Sequence, residues 1–360
     1  MSVGCGFMKF SKIFIVFMVI IMVLTMISAC GSDTTENGSV SSVTSVNNSS
    51  VSSSESSSVS SQNVSSLNSS SSVSSQTTSS ESVSDSPVEL VSIVGGSGYV
   101  YKFNNDIYKL DMPPITSIFF VKSGNDWYIV DACNETGDID KFVKPAATKI
   151  GLDFNNVKGI LITHNHGDHI NGLPVLLPIC PNAKVYAKYS SLSGIDSSDI
   201  TSVSDGSKID GLFDVIGIPG HAPDAVGFVD TRTKTLFSGD AIQLYGVSFA
   251  GMYIFGGVGN YMDSMENLKN KDIENILISH PYVPNGAFAV GKDESMKYIE
   301  DSIDCMTELI QFTSEMYSAG VTSPEQIRDA FIQKKRAEVK DFPTAGFVDA
   351  IKSIISVYLK

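Results

Sequence analysis

Four short apolar runs each finish on a side chain able to hold a metal: "KGILIT" before His164, "FDVIGIPG" before His221, "KTLFSG" before Asp240 and "ENILIS" before His280. Continuous apolar runs this short are most simply buried strands, covered on both faces. That restricts the fold to a layered α/β arrangement. The polar residues then sit where strands end, the place at which such scaffolds usually build their sites.

The flanking segments fit that frame. Residues 99–131 alternate β-formers with turn residues: "YVYKF", Asn104-Asn105-Asp106, "IYKL", "SIFFVKS", Gly124-Asn125-Asp126 and "WYIVDA". These read as hairpins. A helix is expected from about Asp138 to Ile150, closed by Gly151. Beyond Gly291 the period becomes helical. Met296, Ile299, Ile303, Met306 and Ile310 form one core-facing stripe, and Phe347, Ile351, Ile354, Ile355 and Tyr358 form another. Between them Ser323-Pro324-Glu325 supplies a cap and a first-turn proline for a further helix.

The first quarter has a different character. Lys9 and Lys12 precede the apolar run Ile13 to Ala29, and "ISAC" ends it at Cys30. This is a signal segment. Its end resembles the lipobox of bacterial lipoproteins, which implies removal of residues 1–29, acylation of Cys30 and a protein held on the outer face of the cell membrane. From Gly31 to Ser86 about half the residues are serine, without apolar periodicity. Such a segment buries too little apolar surface to offset its chain entropy, so residues 30–86 are expected to be a disordered tether. As a flexible coil it reaches on the order of 40 Å. The globular part then comprises 87–290, carrying the strands, and 291–360, carrying helices packed upon them.

Net charge is −14; without the two lysines of the signal it is −16, and without the tether's five acids it is −11 for residues 87–360. So acidic a fold repels polyanions, which argues against nucleic acid as a partner. No protein partner is evident from the sequence. Of five cysteines, Cys133, Cys180 and Cys305 lie in the globular part. An odd number without close pairs describes small buried hydrophobes, neither a disulfide framework nor a thiolate metal site.

All five histidines are His164, His166, His169, His221 and His280, three of them within "THNHGDH". An isolated strand histidine is usually a hydrogen-bonded structural residue, but that explanation would have to hold five times. Two histidines two apart after a strand can point the same way, and the turn at Gly167 lets Asp168 and His169 face a second position. Imidazole and carboxylate together suit zinc, and also iron or manganese. With Asp168 and Asp240 the candidates reach the roughly seven ligands that a pair of metals about 3.5–4 Å apart requires.

"THNHGDH" is similar to the T-H-x-H-x-D-H signature of the metallo-β-lactamase superfamily, and "PGHAPD", "FSGDA" and "SHP" follow in that family's order. The resemblance spans roughly residues 95–290 and implies an αββα sandwich, two mixed sheets face to face with helices outside. It assigns His164, His166 and His221 to one zinc, Asp168, His169 and His280 to another, and Asp240 to both. Asp131, closing "WYIVDA", resembles the strand-end aspartate that braces the histidine loop.

What the resemblance implies for function is metal-dependent hydrolysis, by a hydroxide bridging two zinc ions, of a small-molecule ester, thioester or lactone. Asp168 and Asp240 are then also catalytic, orienting the hydroxide's proton. Aspartate at 240, where penicillin-hydrolysing branches carry cysteine, and histidine at 166, where di-iron flavoproteins carry glutamate, point to glyoxalase II-like or lactonase-like hydrolases. Tyr245 and Tyr282 are candidate donors to the substrate. Two alternatives stay open: an iron-dependent persulfide dioxygenase-like enzyme, and a non-catalytic surface binding protein. Specificity is expected in the loop 243–262, rich in Gly, Tyr and Phe.

Overall fold

In the computed structural model, which describes residues 88–189, 192 and 194–360, the apolar runs form two main sheets. The first contains β1 (Glu89–Val94), β2 (Gly98–Lys102), β3 (Ile107–Met112), β4 (Thr116–Ser123), β5 (Asp126–Val130), β6 (Val157–Leu161), β7 (Lys184–Ala187) and β8 (Ile200–Ser202) in that spatial order. Strands β1 to β5 form an antiparallel meander, and β5 to β8 run parallel. The parallel crossovers carry α1 (Lys144–Ile150), α2 (Gly167–Ile170) and α3 (Leu173–Ile179).

The second sheet holds β9 (Lys208–Ile209), β10 (Phe213–Gly217), β11 (Val226–Asp230), β12 (Thr235–Phe237), β15 (Asn275–Tyr282) and β16 (Gly286–Val290). A short hairpin, β13 (Gly246–Val247) and β14 (Ala250–Gly251), stands apart. The helices α4 (Val258–Leu268), α5 (Lys292–Ser318), α6 (Pro324–Lys335) and α7 (Val348–Tyr358) complete the chain.

The period of two along a strand explains why these runs are apolar at consecutive positions. Phe119, Val130 and Leu161 of the first sheet meet Val215, Phe228, Phe237 and Leu277 of the second in a core between the sheets. Their neighbours Phe120, Ile129 and Ile160 point the other way, onto Phe142, Ala146 and Leu176. Ile216, Val229, Leu236 and Ile276 likewise face Met265, Met306, Phe331 and Ile351 of the second helical layer. The result is the αββα sandwich, with the C-terminal helices sharing the second sheet's outer core.

Local chemistry sets the joints. Asn104 Oδ1 accepts from the backbone of Asp106 and Ile107 at 2.9 and 2.8 Å, closing the first tight hairpin. The expected helix near 138–150 begins as a π-turn over Ile139–Val143 and ends at Gly151, whose φ of 74° makes the left-handed cap. Ser323 accepts from the N–H of Gln326 at the start of α6.

The structure differs from expectation at four points. β1 forms ahead of the first strand expected from the sequence. His280 lies inside β15, not beyond it, in the stretch between Leu277 and Tyr282 where pairing with β16 shifts register. Tyr358 is 48% exposed and does not belong to its stripe, while Phe347 is wholly buried at the helix entry. In α5 the buried stripe runs instead through Tyr298, Ile299, Cys305, Met306 and Leu309, with Ile303 and Ile310 only half-buried. The three globular cysteines are free and buried. The signal segment, Cys30 and the serine-rich tether lie outside the described residues; among those described, no helix is long and apolar enough to cross a membrane.

Candidate metal centre

The segment that leaves β6 carries Thr163 through His166 in a loop and Asp168 and His169 in the first turn of α2. The N–H of Val226, opening β11, donates to the Thr163 carbonyl at 2.9 Å, and the Asn165 N–H donates to Asp224 at 3.0 Å. These bonds tie the histidine loop of the first sheet to the His221 loop of the second. Asp240 arrives on the turn after β12, where Gly239 has φ 55° and a Cβ would come within 2.4 Å of Thr163 Oγ1. Only glycine permits so close an approach.

Seven donor side chains converge there in two groups: His164, His166 and His221 in one, Asp168, His169, Asp240 and His280 in the other. His166 Nδ1 lies 3.1 Å from His164 Nε2 and 2.8 Å from His221 Nε2. Nitrogen lone pairs this close repel unless a proton or cation lies between them. In the second group His280 Nε2 is 3.1 Å from Asp168 Oδ2 and 3.2 Å from Asp240 Oδ2. Asp240 Oδ2 is also 3.6 Å from His221 Nε2, so this carboxylate faces both groups.

The outward nitrogens are anchored. His169 Nδ1 meets Asp131 Oδ2 at 2.8 Å, His221 Nδ1 meets the Tyr253 carbonyl at 2.8 Å, His280 Nδ1 meets the Ile115 carbonyl at 3.1 Å, and His164 Nδ1 lies 3.2 Å from Thr163 Oγ1. An imidazole held by one nitrogen with the other aimed at a common point is the arrangement of a metal ligand. Asp131, in the left-handed region at φ 64°, also accepts from Thr163 N–H at 2.9 Å and from its hydroxyl at 3.0 Å. It therefore holds both ends of the histidine loop.

The electrostatics divide in the same way. Burial lowers His164 and His166, and takes His221 down to about 4 despite Asp240. These rings are neutral, the form that offers a lone pair. In the second group burial is outweighed by the carboxylates: Asp240 with Asp131 raises His169, and Asp240 with Asp168 raises His280 to about 10. Against their own burial, Asp168 and Asp240 are held well below the usual carboxylate range by these two histidines. His169 Nε2 and Asp240 Oδ1, buried without hydrogen-bond partners 3.4 Å apart, are the atoms a cation would satisfy. The donor set therefore fits a pair of metal ions.

Residues 112–280 match the family model of the Metallo-beta-lactamase superfamily. Within this stretch the chain is similar to that superfamily. Over 94 residues the chain is 47% identical to a hydroxyacylglutathione hydrolase of Francisella tularensis subsp. holarctica, covering 25% of this chain and 36% of that one. Over 173 residues it is 33% identical to a hydroxyacylglutathione hydrolase of Francisella philomiragia subsp. philomiragia, covering 46% and 64%. The chain thus spans about a third of the first relative's length and less than two thirds of the second's. A metallo-beta-lactamase family protein from Thermus thermophilus aligns in structure at 15% identity and a TM-score of 0.47, over 59% of this chain and 83% of that one.

Around this candidate centre, the two tyrosines part. Tyr282 is buried and lines the cleft, its hydroxyl toward Asp240 and its pKa raised by burial and that charge. Tyr245 turns away: it donates to Glu308 at 2.6 Å and packs on Phe342 with ring centroids 5.0 Å apart. There the phenol satisfies both its apolar ring and its polar tip, so Tyr245 is no candidate donor to a substrate. Two further residues shape the site: Gln243, whose amide nitrogen lies 2.6 Å from His221 Nδ1 and whose oxygen accepts from Tyr253 N–H at 2.9 Å, and Asp224, which closes "PGHAPD" and accepts from Asn165 N–H. Nothing in spacing marks Gln243 or the Ile115 carbonyl, because their role comes from tertiary approach.

Proposed function

We propose that the chain is a metal-dependent hydrolase of an ester, thioester or lactone, working with two zinc ions and tethered by a lipid at Cys30 to the outer face of the cell membrane. The observation that carries the hydrolytic part is the pair of adjacent donor groups with Asp240 facing both, and with four of the five imidazoles fixed from behind. The similarity to hydroxyacylglutathione hydrolases supports the reaction class, hydrolysis, for this domain.

His164, His166 and His221 would hold one ion, and Asp168, His169 and His280 the other, with Asp240 reaching both. Ions bound there supply Lewis acidity, which lowers the pKa of water to about 7 and polarises a carbonyl. The protein's own groups do the rest. Asp168, the more exposed of the two carboxylates, stays ionised and accepts from a water entering the cleft, orienting its attack. Tyr282 keeps its proton and can donate to a developing oxyanion.

The turnover test is direct. On any substrate that the wild type hydrolyses, His166→Ala and Asp240→Ala are each expected to lose at least about a hundredfold in kcat/KM; unchanged turnover in either contradicts the assignment. The anchor is tested separately by metabolic labelling with a palmitate analogue, which Cys30→Ala is expected to abolish; labelling that survives the substitution removes the lipoprotein reading.

A further inference from the structure

The cleft beside the donor groups encloses about 410 Å³, within the range of small-molecule sites. Its walls are chemically uneven. Phe249, Tyr253 and Phe255 stand along it with 52%, 37% and 53% of their surface exposed. Tyr253 and Phe255 stack at 5.7 Å, and the Phe255 ring meets His166 and His221 edge-on at 5.5 and 6.0 Å. Phe249 sits in the turn of the β13–β14 hairpin, between the paired Val247 and Ala250. Exposed aromatics grouped at a cleft, continuous with a reactive centre, mark a binding wall.

Charge is distributed just as unevenly. Among the described residues lining the cleft there is no lysine or arginine, and Asn134, Asn171 and Thr116 are neutral. Lys109 opens on a neighbouring hollow and is paired with Asp111 at 2.7 Å. Lys188, near the His221 loop, donates to the Pro223 carbonyl at 3.2 Å. A carboxylate carried at a distance from the scissile bond would lose hydration without meeting a cation. An apolar chain in the same place gains by burial against the rings.

We propose that the cleft takes uncharged esters, thioesters or lactones whose apolar group lies over Phe249, Tyr253 and Phe255, and that it discriminates against a carboxylate on that group. This deepens the hydrolase reading and rests on it.

The test uses the full, metal-loaded chain with three p-nitrophenyl esters: acetate, octanoate and the suberate half-ester, which matches octanoate in length but ends in a carboxylate. The expected kcat/KM for octanoate exceeds that for suberate by at least about tenfold. Phe249→Ala, at an exposed hairpin turn, is expected to lower the octanoate-to-acetate ratio about fivefold, and Phe249→Arg to raise suberate relative to octanoate. Equal kcat/KM for octanoate and suberate overturns this inference and leaves the hydrolase reading intact. If none of the three esters is turned over, calorimetry with octanamide and its carboxylate-ended analogue decides this inference separately from the hydrolase reading: tighter binding of octanamide supports the cleft's preference, whereas equal binding overturns it.

Discussion

At the scale of single residues, the centre depends as much on Asp131 as on the groups that would touch a metal. Its carboxylate holds the His169 ring, the Thr163 backbone and the Thr163 hydroxyl at once, from a left-handed backbone position that asparagine also tolerates. Asp131→Asn therefore leaves the turn intact but removes the charge that raises His169 and fixes its tautomer. We expect it to weaken metal binding at the second group by about 10–100-fold, measured by chelator competition, with the folded content unchanged by circular dichroism. The seven donors were legible because each follows an apolar run or sits in one tight phrase, so local spacing carried the chemistry. Tyr245 departs from expectation because proximity in sequence to Asp240 says nothing about the direction of a side chain. Leu244 and Gly246 on either side of it have positive φ, 46° and 91°, and the side chain turns to Glu308.

At the scale of elements, strands covered on both faces announce themselves through unbroken apolar runs, and hairpins through their turn residues. β1 was missed because its sequence, "ELVSIV", is mostly exposed, with Leu90, Val91 and Ile93 at the surface of an edge strand. The helical stripe of α5 was shifted because small polar residues, Ser295, Ser302 and Thr313, are buried there beside the apolar ones. One link between elements is testable by pH. Lys335 of α6 contacts Glu308 of α5 at 2.9 Å, and Tyr245 donates to the same carboxylate. Against the upward push of partial burial, these partners hold Glu308 below its usual 4.5. A depressed folded-state pKa means that the contribution is full above 4.5 and disappears as pH falls through the folded value. Glu308→Gln is accordingly expected to lower the melting temperature near pH 7 by roughly 2–4 °C, with the gap closing as the pH falls below the ordinary carboxylate range. A gap that is constant with pH would show that packing, not charge, carries the link.

At the scale of the whole molecule, two sheets bring their loops to one edge, and the reactive groups come from both. His164, His166, Asp168 and His169 leave the first sheet; His221, Asp240 and His280 come from the second. The centre therefore exists only when the two sheets are packed, and a metal bound across them stabilises the packed state over the unfolded one. Binding of two metal ions by these seven side chains, with Asp240 common to both, is measured by titrating the metal-depleted full chain with zinc and counting bound ions by native mass spectrometry. Two ions per chain are expected for the wild type, with His221→Ala retaining one. A wild type that binds zinc no better than a chain in which His166 and Asp240 are both replaced by alanine would contradict that expectation.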